Sequence, residues 1–162
     1  MAKLLKFSGR SRWGVAAAGV LGLLAATQAA ASDTVSVTVN ATVTGVCLFN
    51  VSTATLNLTN IGSGSQIDPS NATSATGSVP IVYRCSNGTA PVFTVPTSLT
   101  LNNGSDSMAA TIGYTGGGPG TGMGNTTANQ KTLTITGSIA QTIFQDKPAG
   151  VYTNTMTVSI NP

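Results

Sequence analysis

At 162 residues the chain is long enough for one compact domain. It has no His or Glu, and four Asp against seven Lys and Arg leave it poor in the groups that carry acid–base chemistry. Four of the seven cations, Lys3, Lys6, Arg10 and Arg12, crowd into the first dozen residues. The rest of the chain sets Arg84, Lys131 and Lys147 against Asp33, Asp68, Asp106 and Asp146, a net side-chain charge of −1, which excludes a basic surface for nucleic acid or anionic lipid.

The positive start is followed by a short apolar run, Val15 to Ala26, and then by the small residues Ala29-Ala30-Ala31. That layout is a secretory signal peptide over residues 1–31, cut after Ala31. The apolar run is too short to span a bilayer, so no stable membrane insertion is expected. Export agrees with the cysteine usage. Cys47 and Cys85 are the only two, and an even count in an oxidising compartment predicts a disulfide; a metal site would need His or further thiols that the sequence lacks.

No stretch after Ser32 has helical periodicity. Val35, Val37, Val39, Ala41 and Val43 alternate with Ser36, Thr38, Asn40 and Thr42 in a clean extended pattern. Leu56 and Leu58 mark a second extended piece. Val79, Ile81, Tyr83 and Cys85 share a face in a third, where Pro80 predicts an edge or a bulge. Phe93 and Val95 form a fourth, stopped by Pro96. Leu99 and Leu101 form a fifth, ending at the turn Asn102-Asn103-Gly104.

Ile112 and Tyr114 alternate ahead of the run Gly116 to Gly124. No Lys-Ser/Thr follows that run and no helix is expected after it, so it reads as a flexible linker rather than a phosphate cradle. Leu133 and Ile135 make another strand, and Lys147-Pro148-Ala149-Gly150 a turn. The last strand is the cleanest, with Tyr152, Met156, Val158 and Ile160 on one face and Thr153, Thr155, Thr157 and Ser159 on the other.

Short strands separated by Gly, Pro and Asn turns predict an all-β sandwich. Its two ends are unusual: both are long alternating strands without the Lys or internal Pro that usually protect an exposed edge. The N-terminal one is either the first strand of its own sandwich or a strand lent to another chain, where main-chain hydrogen bonds give affinity and alternate side chains set register.

The order of these features resembles the spore coat protein U domain shared by subunits of archaic chaperone–usher pili. The residues that carry the resemblance are Thr44-Gly45-Val46-Cys47, then Val82-Tyr83-Arg84-Cys85, then the terminal stretch from Lys147-Pro148-Ala149-Gly150 through Val151-Tyr152-Thr153-Asn154-Thr155 to Ile160. The resemblance implies an incomplete immunoglobulin-like β-sandwich over residues 44–162 that lacks its last strand, preceded by an N-terminal donor strand over residues 32–43. It implies that Val35, Val37, Val39, Ala41 and Val43 are the donor residues and that Tyr152, Met156, Val158 and Ile160 border the acceptor groove.

The function it implies is that of a structural subunit of a surface pilus, or fimbria, that polymerises by donor-strand complementation and supports adhesion or biofilm formation. The expected partners are neighbouring subunits in a homo- or hetero-polymer, a periplasmic chaperone and an outer-membrane usher. The expected route is through the periplasm to the cell surface. The alternative is a self-contained secreted coat or adhesive module of the same fold. No cofactor and no catalytic site are expected, because the four Asp and two Lys that follow residue 31 carry no motif of an active site.

Overall fold

The computed structural model describes residues 34–162, so the expected signal peptide lies outside the described residues. The segment Thr34–Asn40 and the body Ala41–Pro162 belong to separate compact units. The body is all-β, with strands β1 (Cys47–Phe49), β2 (Ala75–Cys85), β3 (Val92–Thr94), β4 (Ser98–Asn103), β5 (Asp106–Gly116), β6 (Lys131–Ile139) and β7 (Ser159–Asn161). A single helical turn, α1 (Gln141–Phe144), follows β6. Five strands form one antiparallel sheet in the order β1-β2-β6-β5-β4, and β3 pairs with β7 in a second, smaller sheet.

Period-two patterning explains the long strands. In β2 the residues Ala75, Ile81, Tyr83 and Cys85 are buried on one face, and in β6 Leu133, Ile135 and Ile139 are buried while Thr and Ser fill the other face. Pro80 stands opposite Thr134 of β6 on one side only. β1 covers β2 at Tyr83, Arg84 and Cys85, so Pro80 falls on an open edge, as its missing amide requires. The β4–β5 hairpin turns at Gly104-Ser105, between the paired residues Asn103 and Asp106.

Cys47 and Cys85 face each other across the β1–β2 ladder and are joined by the disulfide, with 4.1 Å between their Cα atoms. Beside them Tyr83 meets Phe93 edge to face at 5.1 Å, and Phe93 meets Tyr114 at 6.0 Å, which ties the small sheet to the large one.

The glycine run departs from the expected flexible linker. Gly120 is buried; its amide donates to the Thr89 carbonyl at 2.8 Å, and its carbonyl accepts from the Gly88 amide at 2.9 Å. The Gly122 amide donates to the Cys85 carbonyl at 3.1 Å, and the Tyr83 hydroxyl donates to the Gly118 carbonyl at 3.0 Å. A Cβ on Gly120 would run into the Cys85 backbone, so glycine here is what lets one chain lie against another.

The fully buried Tyr83 phenol is held above its ordinary pKa by loss of hydration, which outweighs the opposing hydrogen bond to Gly118. A raised folded-state pKa leaves stability intact below the unfolded value near 10 and erodes it as pH rises through the folded value. Denaturant titrations should therefore show stability falling above about pH 10, with a smaller fall in Tyr83→Phe. An identical slope in that variant would assign the alkaline transition to other groups.

Three expected strands are shorter than their alternation suggests. Residues 34–46 are assigned to no strand, the Leu56–Leu58 piece is reduced to one bridge between Thr59 and Thr76, and the terminal strand is reduced to β7 plus one bridge between Thr153 and Asn102. The physical reason is common to all three. A strand is completed by a neighbour's hydrogen bonds, and these runs lack a neighbour for most of their length.

Candidate functional site: an open apolar cleft

On the inner face of the five-stranded sheet Ile81, Ile135, Ile139, Met108, Ala110 and Ile112 are buried, and Val79, Leu99 and Leu101 are only partly covered. Val79 and Ile81 from β2, Ile135 and Ile139 from β6, Met108, Ala110 and Ile112 from β5, and Leu99 and Leu101 from β4 form the floor of a cleft of about 1100 Å³. In a closed sandwich a second layer of side chains would fill this space to near crystalline density.

Two extended runs form its walls. The first is Val51–Leu58. It is tied to β2 at both ends, by the Asn50 amide donating to the Val82 carbonyl at 2.9 Å and by the Thr59–Thr76 bridge. It lies close on the sheet, with the Asn57 carbonyl against Gly77 and the Leu56 and Leu58 side chains against Gly137. Gly77 and Gly137 are a cross-strand pair, and a Cβ on either would collide with this run.

The second wall is Val151–Val158, tied to β4 at the other edge of the sheet. Thr153 and Asn102 exchange backbone hydrogen bonds of 3.1 Å, and the Asn154 amide side chain donates to the Thr100 carbonyl at 2.7 Å. The ends are closed by the loop Ile61–Pro69 and by Phe144 with the turn at Lys147–Gly150. The Tyr152 hydroxyl donates to the Pro148 carbonyl at 2.9 Å and fixes that turn. The loop is fixed by Asn60, whose side chain pairs with both backbone groups of Asp68 at 2.8 and 2.9 Å. The Asp68 carboxylate accepts from the Ser70 hydroxyl and amide, which holds its pKa below the ordinary value.

Both walls carry unpaired main chain. Among the described residues no backbone–backbone hydrogen bond involves Val51–Leu58 or Asn154–Val158; the Thr155 amide is satisfied locally by the Asn154 side chain. Main-chain groups along both runs are thus left without a backbone partner beside an aliphatic floor. Among the described residues Lys147 is the one charged residue that lines the cleft, whose other lining is apolar or uncharged polar. Among the described residues no three His, Cys, Asp or Glu side chains come together.

Of the residues singled out in the sequence, Tyr152, Met156 and Val158 line the cleft. Ile160 does not: it pairs with Phe93 in the β3–β7 ladder, beyond the cleft's end. Val35, Val37, Val39 and Val43 are 76–90% exposed, and Ala41 is exposed as well. Cys47 and Cys85 are buried and do not line the cleft.

Leu56 and Leu58 were expected to be extended, but their run's place as a wall of the cleft was not anticipated. Its signal is a change of phase: Cys47, Phe49 and Val51 alternate on odd positions, then Ala54, Leu56 and Leu58 on even ones. A phase change without Pro or Gly marks a strand that leaves one sheet for the other layer. Compared with protein-family models, curated proteins and solved structures, the chain matches none.

Proposed function

We propose that this chain is an exported structural subunit of a surface fibre, and that its cleft receives residues 34–43 of a neighbouring copy as the missing strand. The observation that carries this reading is the pair of unpaired walls over an apolar floor, in a chain that also bears an exposed apolar-alternating segment. Val35 to Val43 span eight residue steps, about 26 Å, and the Val51–Leu58 wall spans seven, about 23 Å. The side chains at alternate positions would enter the floor, and the intervening Ser, Thr and Asn would face water.

The segment leaves the body at the disulfide end. There the Val46 amide donates to the Ser86 hydroxyl and the Val46 carbonyl accepts from the Ser86 amide, which anchors the exit. The cleft lies beyond Phe49, toward α1 and the Lys147–Gly150 turn, so donor exit and acceptor are at different places on the body. Such a contact is heterologous and propagates head to tail into a fibre. The apolar cleft and the signal peptide together call for a periplasmic chaperone that covers the empty site and an outer-membrane usher that exchanges it for the next subunit. These are the partners of the archaic chaperone–usher pilus subunits that the sequence resembles.

The test is deletion of residues 32–43. The full mature chain should form polymers that survive unheated detergent, and the truncated chain should give none while retaining its disulfide and its β-type circular dichroism. Detergent-resistant polymers from the truncated chain would remove the segment from the role of donor.

A further inference from the structure

We propose that Met156 is a site of thioether oxidation whose sulfoxide closes the cleft to an incoming strand; this rests on the strand-receiving reading of the cleft. Met156 lies half-buried on the Val151–Val158 wall, where the neighbouring main chain is unpaired and the cleft is open. Met108 lies on the floor and is 6% exposed. Met123 does not line the cleft. Both cysteines are joined in the disulfide, so no free thiol among the described residues competes for an oxidant. That leaves the partly buried Met156 thioether as the soft nucleophile of this site.

With hydrogen peroxide as the oxidant, a lone pair on Met156 Sδ attacks one peroxide oxygen. The S–O bond forms as the O–O bond breaks, and the departing hydroxide leaves as water after proton transfer. Sulfur loses two electrons and the peroxide gains them. The product sets a strongly hydrogen-bonding S=O dipole where an apolar strand must dock, beside backbone groups that the strand itself would satisfy. Once a strand occupies the cleft it covers this wall. The empty subunit is therefore the oxidisable form and the assembled fibre the protected one, which confines the sensitivity to the interval before assembly.

The test uses the full mature chain, kept dilute, and a fluorescent synthetic peptide of residues 34–43, with binding followed by anisotropy before and after peroxide treatment and sulfoxides located by peptide mass spectrometry. The expected result is a loss of affinity of about tenfold or more after oxidation, with Met156 the first cleft methionine converted. In Met156→Leu the ratio of oxidised to unoxidised affinity should lie near one, whatever its starting affinity, and Met123→Leu should keep the full sensitivity. Prior loading with peptide should slow conversion of Met156 but not of Met123.

Unchanged affinity with Met156 fully converted would overturn the inference while leaving strand docking intact. So would a Met156 that stays a thioether while Met123 is oxidised. Absence of peptide binding to the untreated chain would overturn the strand-receiving reading, and this inference with it.

Discussion

Residues 34–43, re-sited after Pro162 through a short Asp-Gly-containing turn and removed from the N-terminus, are expected to give a monomer that unfolds roughly 15–25 °C above the truncated chain, a gain of about 5 kcal/mol. The C-terminal run ends in β7 at the disulfide end of the body, with Pro162 beside Gly45, so a tight turn there directs the added strand back along the Val151–Val158 wall. The strand would bring four valines and an alanine against Val79, Leu99 and Leu101, the floor residues that remain partly exposed. Each valine is worth about 1.5–3 kcal/mol when fully buried, and the ordering of some ten backbone residues opposes that gain, leaving the smaller net figure.

The wall amides and carbonyls of Val51–Leu58 and Asn154–Val158 acquire partners at the same time. Replacing the re-sited Val39 by Asp should abolish most of the gain, because a carboxylate cannot enter an aliphatic floor without a partner. Calorimetry and sedimentation decide the matter. An unchanged midpoint in the re-sited protein would mean that the cleft does not accept this strand.

Loss of the disulfide is the second large effect. Cys47→Ala with Cys85→Ala opens a loop whose ends are 38 residues apart, which the chain-entropy description values at about 4 kcal/mol. The loss reaches the cleft as well, because β1 is only three residues long and leads directly into the first wall. The double variant is thus expected to lose both denaturant stability and detergent-resistant polymer. Reducing the native chain with dithiothreitol should reproduce the stability change seen by urea titration. A loss below about 1 kcal/mol would show that the β1–β2 ladder and the Val46–Ser86 hydrogen bonds hold this end without the covalent bond.

Much of the large sheet is legible in the residues. Val79-x-Ile81-x-Tyr83-x-Cys85 and Leu133-x-Ile135 alternate strictly, and each lies in a strand paired along its length. The disulfide needed no geometry, since two cysteines allow one pairing. Half of the candidate site was also legible: Tyr152, Met156 and Val158 were singled out by their alternation and line the cleft.

The other half was hidden because its pattern changes phase between Val51 and Ala54, where the chain leaves the edge of β2 to overlie the sheet. The glycine run misled for a different reason. A local count of glycines predicts freedom, but Gly120 is held by Thr89, Gly88 and the Cys85 backbone, partners more than thirty residues distant in sequence.

What the sequence determined by itself is therefore what depends on a residue and its near neighbours: which runs are extended, which face of each is apolar, where the hairpin turns, and which cysteines pair. What only the tertiary structure decided is which of those extended runs found a partner. Val51–Leu58 and Asn154–Val158 have the composition of strands, yet their hydrogen bonds depend on what lies beside them, and beside each lies open space above an apolar floor. The cleft is a property of the arrangement of the other strands, written in no single segment, and the role proposed for the exposed segment from Thr34 to Val43 rests on it.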